Sequence, residues 1–122
     1  MKFEISGAAG LNNFTGYGDR HVLVNGKRHE SSVIVLPDRV VAWEVESFDG
    51  LAEQHFAVLA GLQPEVALLG TGSRLRFPHP ALTRSLAAAR IGLEVMDLHA
   101  ACRTYNILVA EGRRVAAALL FA

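Results

Sequence analysis

The chain has 122 residues, 51% of them hydrophobic and 20% charged, which suits one folded domain and excludes an intrinsically disordered segment. Twelve basic residues balance twelve acidic ones, so no net field draws nucleic acid or an anionic membrane, while weak repulsion between copies permits a homodimer. The single cysteine, Cys102, excludes an internal disulfide and a zinc cage.

Phe3 and Ile5 make a short apolar start, and the Gly/Asn-rich stretch after it, through Asp19, reads as an irregular loop. The start MKFEISGAAG lacks the layout of a signal peptide, and the longest apolar run is too short to span a bilayer, so the expected location is the cytoplasm without membrane insertion. The run HVLV meets Asn25-Gly26, the pair that a two-residue type I′ turn requires. An N-terminal β-hairpin is therefore predicted, its return strand running over residues 27–36. Pro37-Asp38 makes the next turn, and residues 40–45 (VVAWEV) a third strand with Trp43 in the core.

Asp49 is placed to cap a helix over residues 50–60, with Gly61 at its end and Leu51, Val58 and Leu62 along one side. Residues 65–70 (EVALLG) are apolar on both faces, as in a strand covered by helices. Pro80 can open a second helix that stops before Gly92, with Leu82, Leu86 and Ala89 as its stripe. Residues 93–96 form another strand. A third helix over residues 98–111 carries Ala101, Tyr105 and Leu108 on one face and stops at Gly112; residues 115–121 (VAAALLF) are a last, fully apolar strand. This alternation predicts an α/β sheet built from crossover units, at least partly parallel.

Gly70-Thr71-Gly72-Ser73 follows a buried strand, where ligands bind in open α/β sheets. Backbone amides of such a turn can face a phosphate or carboxylate, with Arg74 and Arg76 adding charge. Leu75 stands where a dinucleotide fingerprint needs its third glycine, and no Gly-Lys-Ser/Thr occurs for a P-loop; a tight strand exit that needs small residues carries more weight. Asp97 stands between a strand and a helix, as an N-cap does. Arg103 and Asn106 share a helix face opposite Tyr105 and Leu108, either a solvated side or a polar patch for a partner. Thr104 bonds to the backbone, and Cys102 is a small core residue. The histidines (His21, His29, His55, His79, His99) show no metal spacing, His99 reads as solvated, and Ser31, Ser32 and Ser73 lack a nucleophile elbow. No catalytic residue, metal ligand or cofactor is assigned.

The stretches YGDRHVLVNGKRHESSVIVLP, LLGTGSRLRFPHPAL and IGLEVMDLHAACRTYNILVAEGRRVAAALL together resemble a widespread family of small proteins of unknown function. That family includes assembly factor three of mitochondrial respiratory complex I (NADH:ubiquinone oxidoreductase), and the chain looks like a bacterial member. Residues 96–112 are the most specific part of the likeness. It implies a three-layer α/β domain around a central mixed, largely parallel sheet of about five strands, one antiparallel to the rest. Gly70, Thr71, Gly72, Asp97, Arg103, Thr104 and Asn106 match, though the family offers no proven role for them.

The resemblance and the want of a catalytic constellation favour a non-catalytic binding or assembly module, with a protein partner and a respiratory complex as its object. The alternative is a small-molecule or anion-binding protein, with or without enzymatic activity, that uses residues 70–76. A third reading is a structural domain that homodimerises. Gly70, Thr71, Gly72, Arg74, Arg76, Asp97, Arg103 and Asn106 are the residues expected at a ligand or partner site.

Overall fold

A computed structural model describes residues 10–121. Its elements follow in the order β1 (Phe14–Tyr17), β2 (Val22–Val24), β3 (Lys27–His29), β4 (Val33–Leu36), β5 (Arg39–Ala42), α1 (Glu53–Gly61), β6 (Val66–Thr71), α2 (Arg84–Ala88), β7 (Gly92–Met96), α3 (Leu98–Ala110) and β8 (Val115–Leu120). The apolar start Phe3/Ile5 lies outside the described residues.

Continuous apolar runs go to the middle of the main sheet, because only there are both faces of a strand covered. β4, β6 and β8 are buried at every position. The sheet order is β5-β4-β8-β6-β7. β8 pairs parallel with β6 and antiparallel with β4, while β6–β7 is parallel and β4–β5 antiparallel. Four strands thus run one way and β4 the other, as the family resemblance implied.

Strand alternation divides the core in two. Val66, Leu68, Val115, Ala117 and Leu119 face α3, beside Tyr105 and Val109. Ala67, Leu69, Ala116, Ala118 and Leu120 face the other way, toward Phe56 and Leu59 of α1 and Leu86 of α2. α3 lies nearly on the sheet: a Cβ at Gly70 would stand 2.8 Å from a Leu119 methyl and 3.1 Å from the Ala101 Cβ. A side chain at 70 would thus make the Leu119 side chain and the Ala101 turn of α3 give way.

Local signals set several boundaries. Asn25 and Gly26 adopt φ values of 51° and 84°, as a type I′ turn needs. Asp97 caps α3, its Oδ1 accepting from the Ala100 N–H at 2.9 Å. α3 closes at Gly112 (φ 82°), with the Gly112 and Arg113 N–H groups donating to the Val109 and Leu108 carbonyls.

Other expectations need correction. The return strand over residues 27–36 is two strands in two sheets: β3 is polar and pairs only with β2, whereas the apolar run of β4 leaves to join β8. The irregular N-terminal loop contains β1, so the hairpin is a three-stranded sheet, β1-β2-β3. Asp49 does not cap α1; it sits in a 3-10 turn, Phe48–Gly50, and the helix starts at Glu53, where His55 Nδ1 accepts from the Ala52 N–H at 2.9 Å. Gly61 is the last helical residue, and Gln63 takes the left-handed conformation (φ 56°). Burial of Phe56 and Leu59 rotates α1 so that Val58 is 49% exposed. The second helix begins as a 3-10 turn, Pro80–Thr83, and its α-helical part ends at Ala88.

Cys102 and Tyr105 are fully buried on the inner face of α3. Burial pushes the Cys102 thiol from 9.0 up to about 12 and raises the Tyr105 phenol as well. Both acids then hold their protons in the folded chain after the unfolded chain has lost them. The Cys102 contribution is complete below pH 9.0 and is lost as the pH rises toward about 12, and the Tyr105 contribution is lost at higher pH in the same direction. Urea melts from pH 8 upward should show stability falling across that window. The fall should be shallower in Cys102→Ala; an identical slope in the variant would show that this thiol is not ionising late.

Candidate functional site

β6 leads into α2 on one face of the sheet and β7 into α3 on the other. Strands whose exits part in this way leave a crevice between their carboxyl ends, the usual ligand position in open α/β sheets. Here the two exits are tied by a hydrogen bond from the Leu98 N–H to the Gly72 carbonyl (2.8 Å). A cavity of about 320 Å³ opens beside that bond, lined by Asp19, Gly72, Ser73, Asp97, Leu98, His99 and Arg103.

Three segments supply its walls. The first is the turn after β6. Thr71 is fully buried and organises that turn, its hydroxyl donating to the Arg74 carbonyl (2.7 Å) and accepting from the Arg76 N–H (3.2 Å). The second is the first turn of α3. The third is the β1–β2 connection, held against α3 by His99: its Nε2 donates to the Gly18 carbonyl at 2.8 Å, and its ring stacks on Tyr17 at 4.3 Å. A carbonyl only accepts, so His99 carries its proton on Nε2 in this contact. Arg103 Nη1 reaches the Tyr17 hydroxyl at 3.4 Å; that bond and the nearby Asp97 carboxylate favour its charged form. The cavity therefore presents one guanidinium, two carboxylates and a hydroxyl, while the Leu98 and Ala100 N–H groups of the helix start are spent on the Gly72 carbonyl and the Asp97 side chain. That set can bind and orient a small polar group.

Of the expected site residues, the structure brings together Gly72, Asp97 and Arg103. Gly70 and Thr71 lie beneath the crevice, one packed under α3 and the other spent on the turn. Arg74 is exposed outside the cavity, and Arg76 turns away to lie over the Phe48 ring at 4.6 Å. Asn106 does not form a solvated patch with Arg103. Its Oδ1 accepts from the Phe14 N–H (2.9 Å) and its Nδ2 donates to the Phe14 carbonyl (2.8 Å), so it completes β1 as a neighbouring strand would. The physical reason is that β1 crosses this side of α3. Tyr105 reinforces the crossing: its hydroxyl donates to the Asn12 carbonyl (3.0 Å), and its ring meets Phe14 edge-on at 5.0 Å.

Asp19 and His99 were not expected at the crevice, and Ser73 was expected only as part of the loop over residues 70–76. Ser73 stood in the glycine turn and His99 beside Asp97, so adjacency along the chain was the available signal. Asp19 arrives only through the docking of the small sheet. A second cavity of about 550 Å³ lies between Arg20, Glu30, Trp43, Glu44, Glu46 and Phe121. Among the described residues no cluster of His, Cys, Asp or Glu is arranged to hold a metal ion.

Residues 14–120 match the model of a family described as "Protein of unknown function (DUF498/DUF598)". The chain belongs to the DUF498/DUF598 family. Within the family's reach is the bovine (Bos taurus) NADH dehydrogenase [ubiquinone] 1 alpha subcomplex assembly factor 3, 37% identical over 106 residues, which cover 85% of this chain. The match spans 58% of that relative's own length. A crystal structure of a Bordetella parapertussis protein superposes with a TM-score of 0.86 at 43% identity, covering 92% of this chain and 97% of the other. A solution structure from Bordetella pertussis, described as a Mth938-like domain, gives 0.83 at 36% identity, over 98% and 92%. No helix among the described residues of this DUF498/DUF598 member is long and apolar enough to cross a membrane.

Asn106 and Arg103 should separate cleanly in a melt. Asn106→Ala leaves the Phe14 backbone groups without their partner and should cost about 1–3 kcal/mol. Arg103→Ala should leave the melting temperature unchanged, since its side chain is exposed and makes one long bond. Urea or thermal melts of the two variants decide; equal behaviour would mean that Asn106 does not anchor β1.

Proposed function

We propose that the protein is a non-catalytic binding module that engages a protein partner along the carboxyl edge of its main sheet, in the cytoplasm. The observation that carries this reading is a pair of large apolar side chains on the loop after β6: Leu75 is 50% exposed and Phe77 is 69% exposed. Apolar area of this kind beside a polar crevice suits an interface, where a buried aromatic supplies much of the affinity. The relatives named as assembly factors of NADH dehydrogenase support the same class of work, and make a respiratory-complex subunit the expected partner. Affinity capture from native cells with the wild-type chain, beside a Leu75→Ser/Phe77→Ser variant, tests it. The wild type should enrich a respiratory subunit at least tenfold over the variant while both melt alike. Equal capture by both would overturn the assignment to this edge.

A second reading is favoured by the position of Arg103 on the crevice wall: a small polar or anionic ligand binds there through that guanidinium, against the repulsion of Asp19 and Asp97. Millimolar phosphate or acetate should then shift the amide resonances of Gly72, Ser73 and His99 saturably, and Arg103→Gln should abolish the shift. Unmoved resonances would leave the crevice as a structural junction.

A further inference from the structure

Arg76 is held in place by the fold, yet its charge has no carboxylate partner among the described residues. Its backbone N–H donates to Thr71 Oγ1 at 3.2 Å, and its guanidinium lies 4.6 Å over the Phe48 ring. Its Nε is buried with no hydrogen-bond partner. Among the described residues the ion pairs are Arg28–Glu30, Arg84–Glu53, Arg113–Glu65 and Arg114–Asp38, so none of their carboxylates pairs with Arg76 or with Arg74 two residues before it. A carboxylate arriving from outside cannot reach the buried Nε and would meet the two Nη groups, and a guanidinium fixed on an aromatic face holds that edge oriented for the planar fork of a carboxylate. Its neighbours in sequence, Leu75 and Phe77, are the exposed apolar residues of the same loop.

We propose that Arg76, Leu75 and Phe77 form one receptor for an acidic, apolar segment of a partner protein. A carboxylate of that segment occupies the Arg76 fork, and bulky apolar side chains beside it cover Leu75 and Phe77. The inference rests on the binding-module reading and deepens it by naming the partner's chemistry. Charge complementarity selects this occupant. A second copy of the chain meeting the same patch by two-fold symmetry would set Arg74 and Arg76 against their own kind. A bilayer would receive two apolar side chains and two arginines, short of the acyl chain or polybasic cluster that lasting attachment takes.

The test places a photo-crosslinker in the full chain, Phe77→p-benzoylphenylalanine, and irradiates native cells. Adducts are mapped by mass spectrometry and compared between the parent and an added Arg76→Gln or Arg76→Lys change. The expected adduct is one protein segment with Asp or Glu beside Leu, Ile or Phe. Its yield should drop at least tenfold with Arg76→Gln, and also with Arg76→Lys, which keeps the charge but loses the fork; unchanged melts show that the variants are folded. Adducts to lipid, to a second copy or to a segment without acidic residues overturn the inference, as does a yield indifferent to both changes at Arg76. The same crosslinker at Leu75 and Tyr17 separates the two claims. Adducts from Tyr17 with none from positions 75 and 77 retain the binding module and reject this receptor, whereas none from any position rejects both.

Discussion

Helix α3 rests so close against β6 and β8 that a methyl group at Gly70 would displace Leu119 and Ala101, and the other features of this side follow from that close approach. Ala101 and Cys102 are small enough to permit it, and Leu98, Tyr105 and Val109 fill the flanks. Because the helix is seated so low, its first turn arrives level with the exit of β6. The Leu98 N–H then reaches the Gly72 carbonyl, and Asp97 stands at the mouth of the crevice while still capping the helix. A helix lifted by one methyl would weaken both contacts, since cores relax only partly around added volume.

The same seating gives α3 a second task. Its outer flank receives β1, and Asn106 meets the Phe14 backbone as an extended strand would. The small sheet is thereby locked to the α/β layers through a side chain, with the Tyr105 hydroxyl and the His99–Tyr17 stack on either side. Three carbonyls, those of Asn12, Phe14 and Gly18, and the Phe14 N–H are satisfied by α3 side chains in this way. Polar residues on this helix are thus spent largely on fixing the fold, and what the protein offers outward is concentrated on the loop after β6. Thr71 holds the start of that loop from within, so Leu75 and Phe77 project from a fixed base.

Much of the architecture is legible along the chain. The VALLG and VAAALL runs are apolar at every position, a pattern that only central strands tolerate, and Asp97 and Gly112 mark the two ends of α3 by local hydrogen bonding alone. The turn at Asn25-Gly26 is equally local. The candidate site was legible only where its parts adjoin in sequence. Gly72 and Asp97 each follow a strand that could be read from its composition. The role of Asn106 was not legible, because its partner lies 92 residues away and nothing in helical spacing distinguishes a solvated asparagine from one that meets a backbone.

Features decided by interactions within a turn or by the two-sided apolarity of a strand were therefore determined by the sequence itself: the alternating second half, the β2–β3 turn, the cap and stop of α3. Tertiary structure alone decided the split of residues 27–36 between two sheets, the rotation of α1 that exposes Val58, and the arrival of Asp19 beside Asp97 and Arg103. The physical reason is the range of the forces. Caps and turns are settled by hydrogen bonds a few residues long, whereas pairing partners and helix rotation are chosen by burial. Burial compares every apolar surface in the chain at once.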